Sequence, residues 1–490
     1  MDQRKQLIDA FNSLCLALAD ADLNDSEYPI HMVNRLITLA SEMRASDVHL
    51  QPSSVGLELR LRIDGVLHCC GFIPASSAQR VMARLKVMAD LVHYRRDLPQ
   101  EGRIIFADRD QELRISVLPT LHGEKIVLRF LSGPGHFRSI DELGYPPDVA
   151  QKLRDLLQET MGAIVVTGPA GSGKSSCLYA CLRDLTSGSN GIQRSIASLE
   201  DPIEVAVDGV AQTEVNPSVG LDLTSGLRYL LRQDPEIIMM GEIRDRETAD
   251  AVLQASLTGH LLLTTFHAGS TAEAISRLLE MDLEPYLIRS SLRAVLSQRL
   301  VRRLCSCARP CNDPAETCGL PVEEFYLPTG CEKCAGTGFA GRLALVEFLT
   351  LDSSEVARAI LAKSDSRTLE SKAVEAGMIT RLQRGIEAVR SGLTCPSEIR
   401  RAFGLLSDER FLPAERHLPT DFATAGVDAG NNHDHDSEPA TASLATSSAS
   451  EETLAEGNGN EVECGAPLGG ELSFASEAGG DAVVSDDSSQ

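Results

Sequence analysis

Residues 168–175 read Gly168-Pro169-Ala170-Gly171-Ser172-Gly173-Lys174-Ser175, the full G-x-x-x-x-G-K-[ST] pattern of a loop that cradles phosphate. Its glycines let the backbone curl so that successive N–H groups point inward at phosphate oxygens. Lys174 brings a point positive charge to the β and γ phosphates, and Ser175 a hydroxyl ligand for Mg²⁺. The flanks narrow the fold further. Ala163-Ile164-Val165-Val166-Thr167 is an apolar run suited to a buried parallel strand. Residues 176–185 read as a helix, and the N-terminus of a helix favours anions. Strand, phosphate loop and helix in that order demand an α/β fold with a parallel sheet. Gly168 through Gly173, with Lys174, Ser175 and Ser176, are the expected nucleotide-binding residues.

The pattern continues on both sides. Strands are expected at 163–167, 195–199, 236–240 and 261–265, with helix over 272–300. Upstream, residues 55–63 alternate apolar and polar with period two. Asp64-Gly65 makes a hairpin turn, and 66–69 lead back. Strands at 111–118 and 125–130 flank a turn at 121–124, and a helix is expected over 78–88. The expected organisation is an N-terminal helical segment (1–27), a small α+β domain (28–131), a Gly/Pro-rich linker (132–150) and a parallel-sheet nucleotide-binding domain (151–304). A cysteine module (305–342), a helical subdomain (343–404) and a tail (405–490) complete it.

The chain has 490 residues and a formal charge of −24. Residues 411–490 hold 16 acidic residues and a single basic one, Arg416, a charge of −15. With few large apolar side chains, that tail is expected to be disordered. No apolar run approaches 18 residues, and the first 22 residues lack the apolar core of a signal peptide, so a cytoplasmic protein is expected. No basic patch is interleaved with aromatics, which argues against nucleic acid as a partner. Arg299, Arg302 and Arg303 form a local basic cluster, read as an interface or a solvated helix face.

Thirteen cysteines are many for a reducing compartment, and five of them crowd into two clusters. Cys331-Glu-Lys-Cys334-Ala-Gly-Thr-Gly338 is a zinc knuckle, two thiolates on a tight turn with glycines freeing N–H groups toward sulfur. Cys305 and Cys307 are taken as the other two ligands, with Cys307 and Cys311 as the alternative pair. Four thiolates leave no open position, so the metal would be structural.

Cleaving a γ-phosphate requires a metal, an in-line water and positive charge on the equatorial oxygens. Ile237-Ile-Met-Met240 is an apolar strand ending at Gly241-Glu242, and a carboxylate there points into the crevice where α/β sheets bind ligands. Glu242 can hold Mg²⁺ through its water shell. The turn Glu200-Asp201-Pro202-Ile203-Glu204 follows another expected strand and should reach the same crevice.

Four blocks follow the loop in order: Ser198-Leu-Glu-Asp-Pro-Ile-Glu204, Leu231-Arg-Gln-Asp-Pro-Glu236, Gly241-Glu-Ile-Arg-Asp245, and Thr258-Gly-His260 through His267. With Ala45-Ser-Asp-Val-His49 and Leu59-Arg-Leu-Arg-Ile-Asp-Gly65, they resemble the secretion ATPase superfamily of type II secretion and type IV pilus motors, over residues 30–404. The resemblance implies a RecA-like motor domain with a PAS-like N-terminal α+β domain. It implies an ATP-, Mg²⁺- and Zn²⁺-dependent homo-hexamer, peripheral to the inner membrane, that works on a platform protein. Glu200, with Glu204 second, would orient the attacking water. His260 and His267 would sense γ-phosphate or couple subunits, and Arg103 and Arg114 would supply positive charge from the N-terminal domain. The cysteine module fits an assembly or secretion motor; rival readings are a retraction or DNA-transfer motor, or a scaffold that binds nucleotide without hydrolysing it. Only about 27 residues precede the first matching domain, so the longer N-terminal docking module of many family members is not expected.

Overall fold

The computed structural model describes residues 27–106, 111–131, 139–187, 194–334 and 336–404. Residues 1–26 of the expected N-terminal segment and the acidic 405–490 lie outside that set.

The first half of the chain pairs as its alternation requires. After helix α1 (Tyr28–Glu42) come strands β1 (Asp47–Pro52), β2 (Gly56–Ile63) and β3 (Val66–Pro74). Helix α2 (Ala75–Met88) leads to β4 (Gln100–Phe106), β5 (Gln111–Thr120) and β6 (Gly123–Leu131). They form one antiparallel sheet in the order β3-β2-β1-β6-β5-β4. Alternate residues such as Leu57, Leu59 and Leu61, or Leu113, Ile115 and Val117, are buried with Val33, Leu36 and Ile37 of α1 and with Val81 and Leu85 of α2. Buried aliphatic side chains like these stabilise by roughly 1.5–3 kcal/mol each. The opposite face is left to charged side chains, because neighbours along a strand point to opposite faces.

Helix α3 (Pro147–Leu157) begins inside the expected linker. Strand β7 (Gly162–Thr167), helix α4 (Lys174–Thr186), β8 (Ile196–Glu200), β9 (Ala211–Glu214) and α5 (Leu223–Leu230) follow. Then come β10 (Ile237–Ile243), α6 (Arg246–Leu257), β11 (Leu261–Phe266), α7 (Thr271–Glu280) and α8 (Pro285–Ser291). Strand β12 (Leu292–Leu304) departs from the expected helix over 272–300. Its leucines at 292, 296, 300 and 304 recur at a helical spacing, yet it lies between β7 and the later β15, where both faces of the strand are buried. A two-sided burial removes the period-two signal that would have marked it as a strand.

The cysteine module contributes a ribbon of β13 (Arg309–Cys311) and β14 (Phe325–Leu327). Strand β15 (Phe339–Thr350) then returns antiparallel to β12, so the first residues of the expected helical subdomain belong to the motor sheet. Helices α9 (Ser354–Leu361), α10 (Ser366–Glu375), α11 (Arg381–Arg390) and α12 (Pro396–Phe403) close the described chain. The seven-stranded sheet runs β15-β12-β7-β11-β10-β8-β9, parallel except at β15. Its β7 and β11 are buried at every position, with Ile164 and Val166 packed toward α3 and α4, and Ala163 and Val165 in the separate core that includes α6 and α7 residues. Among the described residues no helix is long and apolar enough to cross a membrane.

Candidate functional site

The C-terminal ends of β7, β8, β10 and β11 meet at one cleft, lined by Lys174, Ser175, Tyr179, Glu200, Glu204, Glu242, Arg244 and Thr265 among others. The loop 168–173 leaves β7 with Gly168, Gly171 and Gly173 at φ 148°, 72° and 92°. A Cβ on Gly168 would stand 2.4 Å from the Gln298 carbonyl, and one on Gly173 would stand 2.9 Å from Gln298 Nε2. These positions therefore need glycine both for backbone angle and for space. Gln298 of β12 locks the loop from below: its Nε2 donates to the Ser172 carbonyl at 2.7 Å, and its Oε1 accepts from the Tyr145 hydroxyl. No side chain caps the N-terminus of α4, which leaves its first N–H groups for an anion. Lys174 Nζ donates to the carbonyls of Gly168 (3.0 Å) and Pro169 (3.4 Å). Burial pulls its ammonium below the usual lysine range, partly opposed by Glu242.

The two glutamates of the acidic turn differ. Glu200 is 4 % exposed and accepts from Ser198 Oγ (2.5 Å), Gln212 Nε2 (2.9 Å) and the Tyr179 hydroxyl. Burial and that glutamate push the Tyr179 phenol well above its ordinary range. Glu204 instead meets the Ser175 hydroxyl at 3.4 Å. Burial raises its carboxyl above the normal range, with Ser175 and the charge of Arg129 opposing. Against its own burial, Glu242 is held below the usual carboxylate range by Arg244 and by His267, whose Nε2 is 3.0 Å away. Arg244 also reaches Asp201 at 3.1 Å and so bridges the ends of β10 and β8.

The two histidines part company. His267 joins the cleft through Glu242. His260 lies at the other end of β11, about 20 Å away at the rise of a strand, where its Nδ1 meets the Ala255 carbonyl (3.1 Å) and Thr258 Oγ1 (3.3 Å). Within one chain it stands apart from the phosphate loop.

The arginines expected from the N-terminal domain sit on the charged face of its sheet. Arg103 pairs in register with Arg114, and Arg114 with Arg129, so three arginines cross β4, β5 and β6 in a row. Arg103 lies 3.4 Å from Glu214 of β9, whose other oxygen accepts from the Ile203 N–H in the acidic turn at 3.3 Å. Arg114 pairs with Glu101 at 2.8 Å. Arg129, 67 % exposed, pairs with Asp47 at 3.0 Å and bears on Glu204. The sequence reading missed Gln298, Tyr145, Arg244 and Arg129. Arg244 carried a local signal, its place in the Gly241–Asp245 block. Arg129 could have been found from the strand register that aligns it with Arg114.

The four cysteines Cys305, Cys307, Cys331 and Cys334 bring their sulfurs within 4.8 Å of one another and could hold a metal ion. The Cys305–Cys331, Cys307–Cys334 and Cys331–Cys334 separations are each 3.8 Å. Four sulfurs at about 2.3 Å from a tetrahedral zinc stand about 3.8 Å apart, so the donor set fits. Burial would raise the Cys334 thiol, but the N–H groups of Cys331 (3.1 Å) and Gly338 (3.2 Å) aim at its sulfur and bring it down to about 7. Cys311, the alternative ligand, lies on β13 and accepts from the Asp313 N–H at 3.5 Å.

Comparison with known proteins agrees with this geometry. The chain is 39 % identical over 402 residues to a protein named Type II secretion system protein E from Dickeya dadantii, covering 80 % of each. It is 38 % identical over 378 residues to a protein named Type IV pilus assembly ATPase PilB from Thermus thermophilus, covering 75 % of this chain and 42 % of that relative. The crystal structure of the Legionella pneumophila ATPase DotB superposes with a TM-score of 0.56 at 20 % identity, over 76 % of this chain and 95 % of that one, a likeness of fold. Residues 22–401 match the family described as Type II/IV secretion system protein, and the chain belongs to that family.

Proposed function

We propose that this protein is the Mg²⁺-dependent ATP hydrolase of a type II secretion or type IV pilus-like assembly machine. The observation that carries the reading is the phosphate loop facing Glu242 and Glu204 across one cleft. Lys174 and the uncapped end of α4 bind the phosphates. Ser175 would be the direct ligand of a Mg²⁺ ion and Glu242 would hold it through water; when bound, the ion would supply positive charge to the phosphates. Glu200, held by three donors, fixes the acidic turn and is the first candidate to orient the attacking water. Glu204, beside Ser175 and with its carboxyl raised above the ordinary range by burial, is the second. His267, 3.0 Å from Glu242, orients that carboxylate and would sense the γ-phosphate through it. Arg103, Arg114 and Arg129 supply positive charge to the cleft from the N-terminal sheet, of which the first two reach it by motion of that sheet or in a neighbouring subunit.

The cysteine knuckle is a structural zinc site, and its presence favours assembly or secretion over retraction. The working form is a homo-hexamer on the cytoplasmic side of the inner membrane, where angular change between the PAS-like N-terminal domain and the motor domain drives a platform protein. The test is Mg²⁺-dependent phosphate release by the purified full chain. Turnover by wild type that disappears in Lys174→Ala supports the reading; equal rates in the two proteins overturn it.

A further inference from the structure

Residues 267–271 join the end of β11 to the start of α7 and carry His267 to Glu242. Three sets of bonds hold this segment. From α7, Arg277 Nη1 donates to the His267 carbonyl and Glu273 Oε2 accepts from the Gly269 N–H at 2.7 Å. On the phosphate-loop side, Thr167 Oγ1 donates to the Ala268 carbonyl (3.1 Å) and accepts from the Ala268 N–H (2.9 Å). On the other side stands a buried ion pair. Glu347 of β15 is 3 % exposed; its Oε1 accepts from the Thr271 N–H at 2.6 Å and its Oε2 from Arg381 Nε at 3.2 Å. Arg381 of α11 is 8 % exposed, and its Nη2 donates to the Gly269 carbonyl, two residues past His267. The Thr271 hydroxyl reaches Met378 Sδ at 3.3 Å, a further tie to the turn before α11.

A guanidinium suits this place because its planar fork can serve a carboxylate and a carbonyl at once. The pair lines no part of the cleft. Its bonds end on the backbone that aims His267.

We propose that Arg381 and Glu347 are positioning residues for His267, and that through them the C-terminal helices and the hydrolytic site share one mechanical linkage. This rests on the reading of His267 and Glu242 as members of that site. A displacement of α11 moves Arg381, with it the Gly269 carbonyl, and so the imidazole that meets Glu242. Small misplacements of an orienting group lower the rate of the chemical step far more than they lower binding. Nucleotide affinity resides in the loop 168–175 and is not expected to follow.

The experiment is a double-mutant cycle on the full chain, reading kcat, the KM for ATP and the affinity for a fluorescent ADP analogue. Arg381→Gln is expected to lower kcat about tenfold and to leave KM and ADP-analogue affinity within about twofold. In a His267→Ala background the same substitution is expected to change kcat little, because its route of action is already gone. Glu347→Gln, which keeps the shape of the side chain, runs through the same cycle and serves if Arg381→Gln fails to fold. A full-sized, additive kcat loss in the His267→Ala background overturns the proposal, as does a loss of nucleotide affinity that matches the loss of kcat. An unchanged kcat in His267→Ala alone overturns the reading of the site itself, which is a separate result.

Discussion

The two ends of the seven-stranded sheet are built from the same strands and the same apolar core, yet they carry different chemistry. At the N-terminal ends the polar groups of His260, Glu236 and Arg194 are satisfied by neighbours that serve structure. His260 caps the end of α6, Glu236 accepts the Ser195 N–H at 2.9 Å, and Arg194 donates to the Leu157 and Glu159 carbonyls at 3.0 Å. At the C-terminal ends Glu204, Glu242, Lys174 and Arg244 crowd together with shifted ionisation and face an open cleft. Parallel strands end together, helices begin there, and helix N-termini attract anions; one end of such a sheet is a binding site by construction and the other is a seam.

The contrast is broken most directly at Lys174. Lys174→Ala is expected to lower ATP turnover by about 10³-fold, at the scale of losing a preorganised charge in a dry site, read as phosphate release in Mg²⁺. Turnover within tenfold of wild type would show that the phosphate loop is not where hydrolysis occurs. Arg129 tests whether the polar end borrows charge from another sheet. Its loss in Arg129→Ala should cost about 10²-fold in kcat and leave thermal stability nearly unchanged, since Arg129 itself is exposed and the buried Asp47 keeps Arg62 at 3.4 Å as a partner.

The cysteine knuckle belongs to neither end, so its removal should separate folding from chemistry. Cys331→Ser is expected to abolish bound zinc, measured by elemental analysis of protein purified without added metal, and to destabilise by about 2 kcal/mol or more. Metal-free wild type of unchanged stability would remove zinc from the account. Gln298→Ala opens the underside of the phosphate loop by deleting a buried amide that both accepts and donates. We expect a loss of about 1–2 kcal/mol in nucleotide affinity, seen by titration with a fluorescent ADP analogue, with kcat at saturating ATP less affected. The smallest effect is expected at the seam: His260→Ala should change stability by about 0.5 kcal/mol or less and the monomer's ATP affinity not at all. A larger loss confined to the assembled ring would show that the seam of one chain faces the site of the next.

The pattern of legibility follows the range of the forces involved. Residues 168–175 announced a strand, a loop and a helix because that conformation needs particular residue types at fixed local spacing, and β7 and α4 stand there. Alternation in 55–63 and 111–118 announced half-buried strands, because one wet face leaves a period of two. The same logic failed at β12: with both faces covered, nothing local distinguishes Leu292–Leu304 from a helix, and only the neighbours β7 and β15 make it a strand. The spacing of Cys331 and Cys334 pointed to a metal knuckle from sequence. Which upstream thiols face it was left open by sequence, because bringing residues 305 and 307 to 331 and 334 requires the whole β13–β14 excursion to close. The two histidines flanking β11 read alike as letters; a strand carries its ends apart, and the parallel sheet assigns only His267 to the cleft. Short-range chemistry is written in the order of residues, whereas the partnership of Gln298, Arg129 or Arg381 with the site depends on strand register and helix packing, which no local pattern encodes.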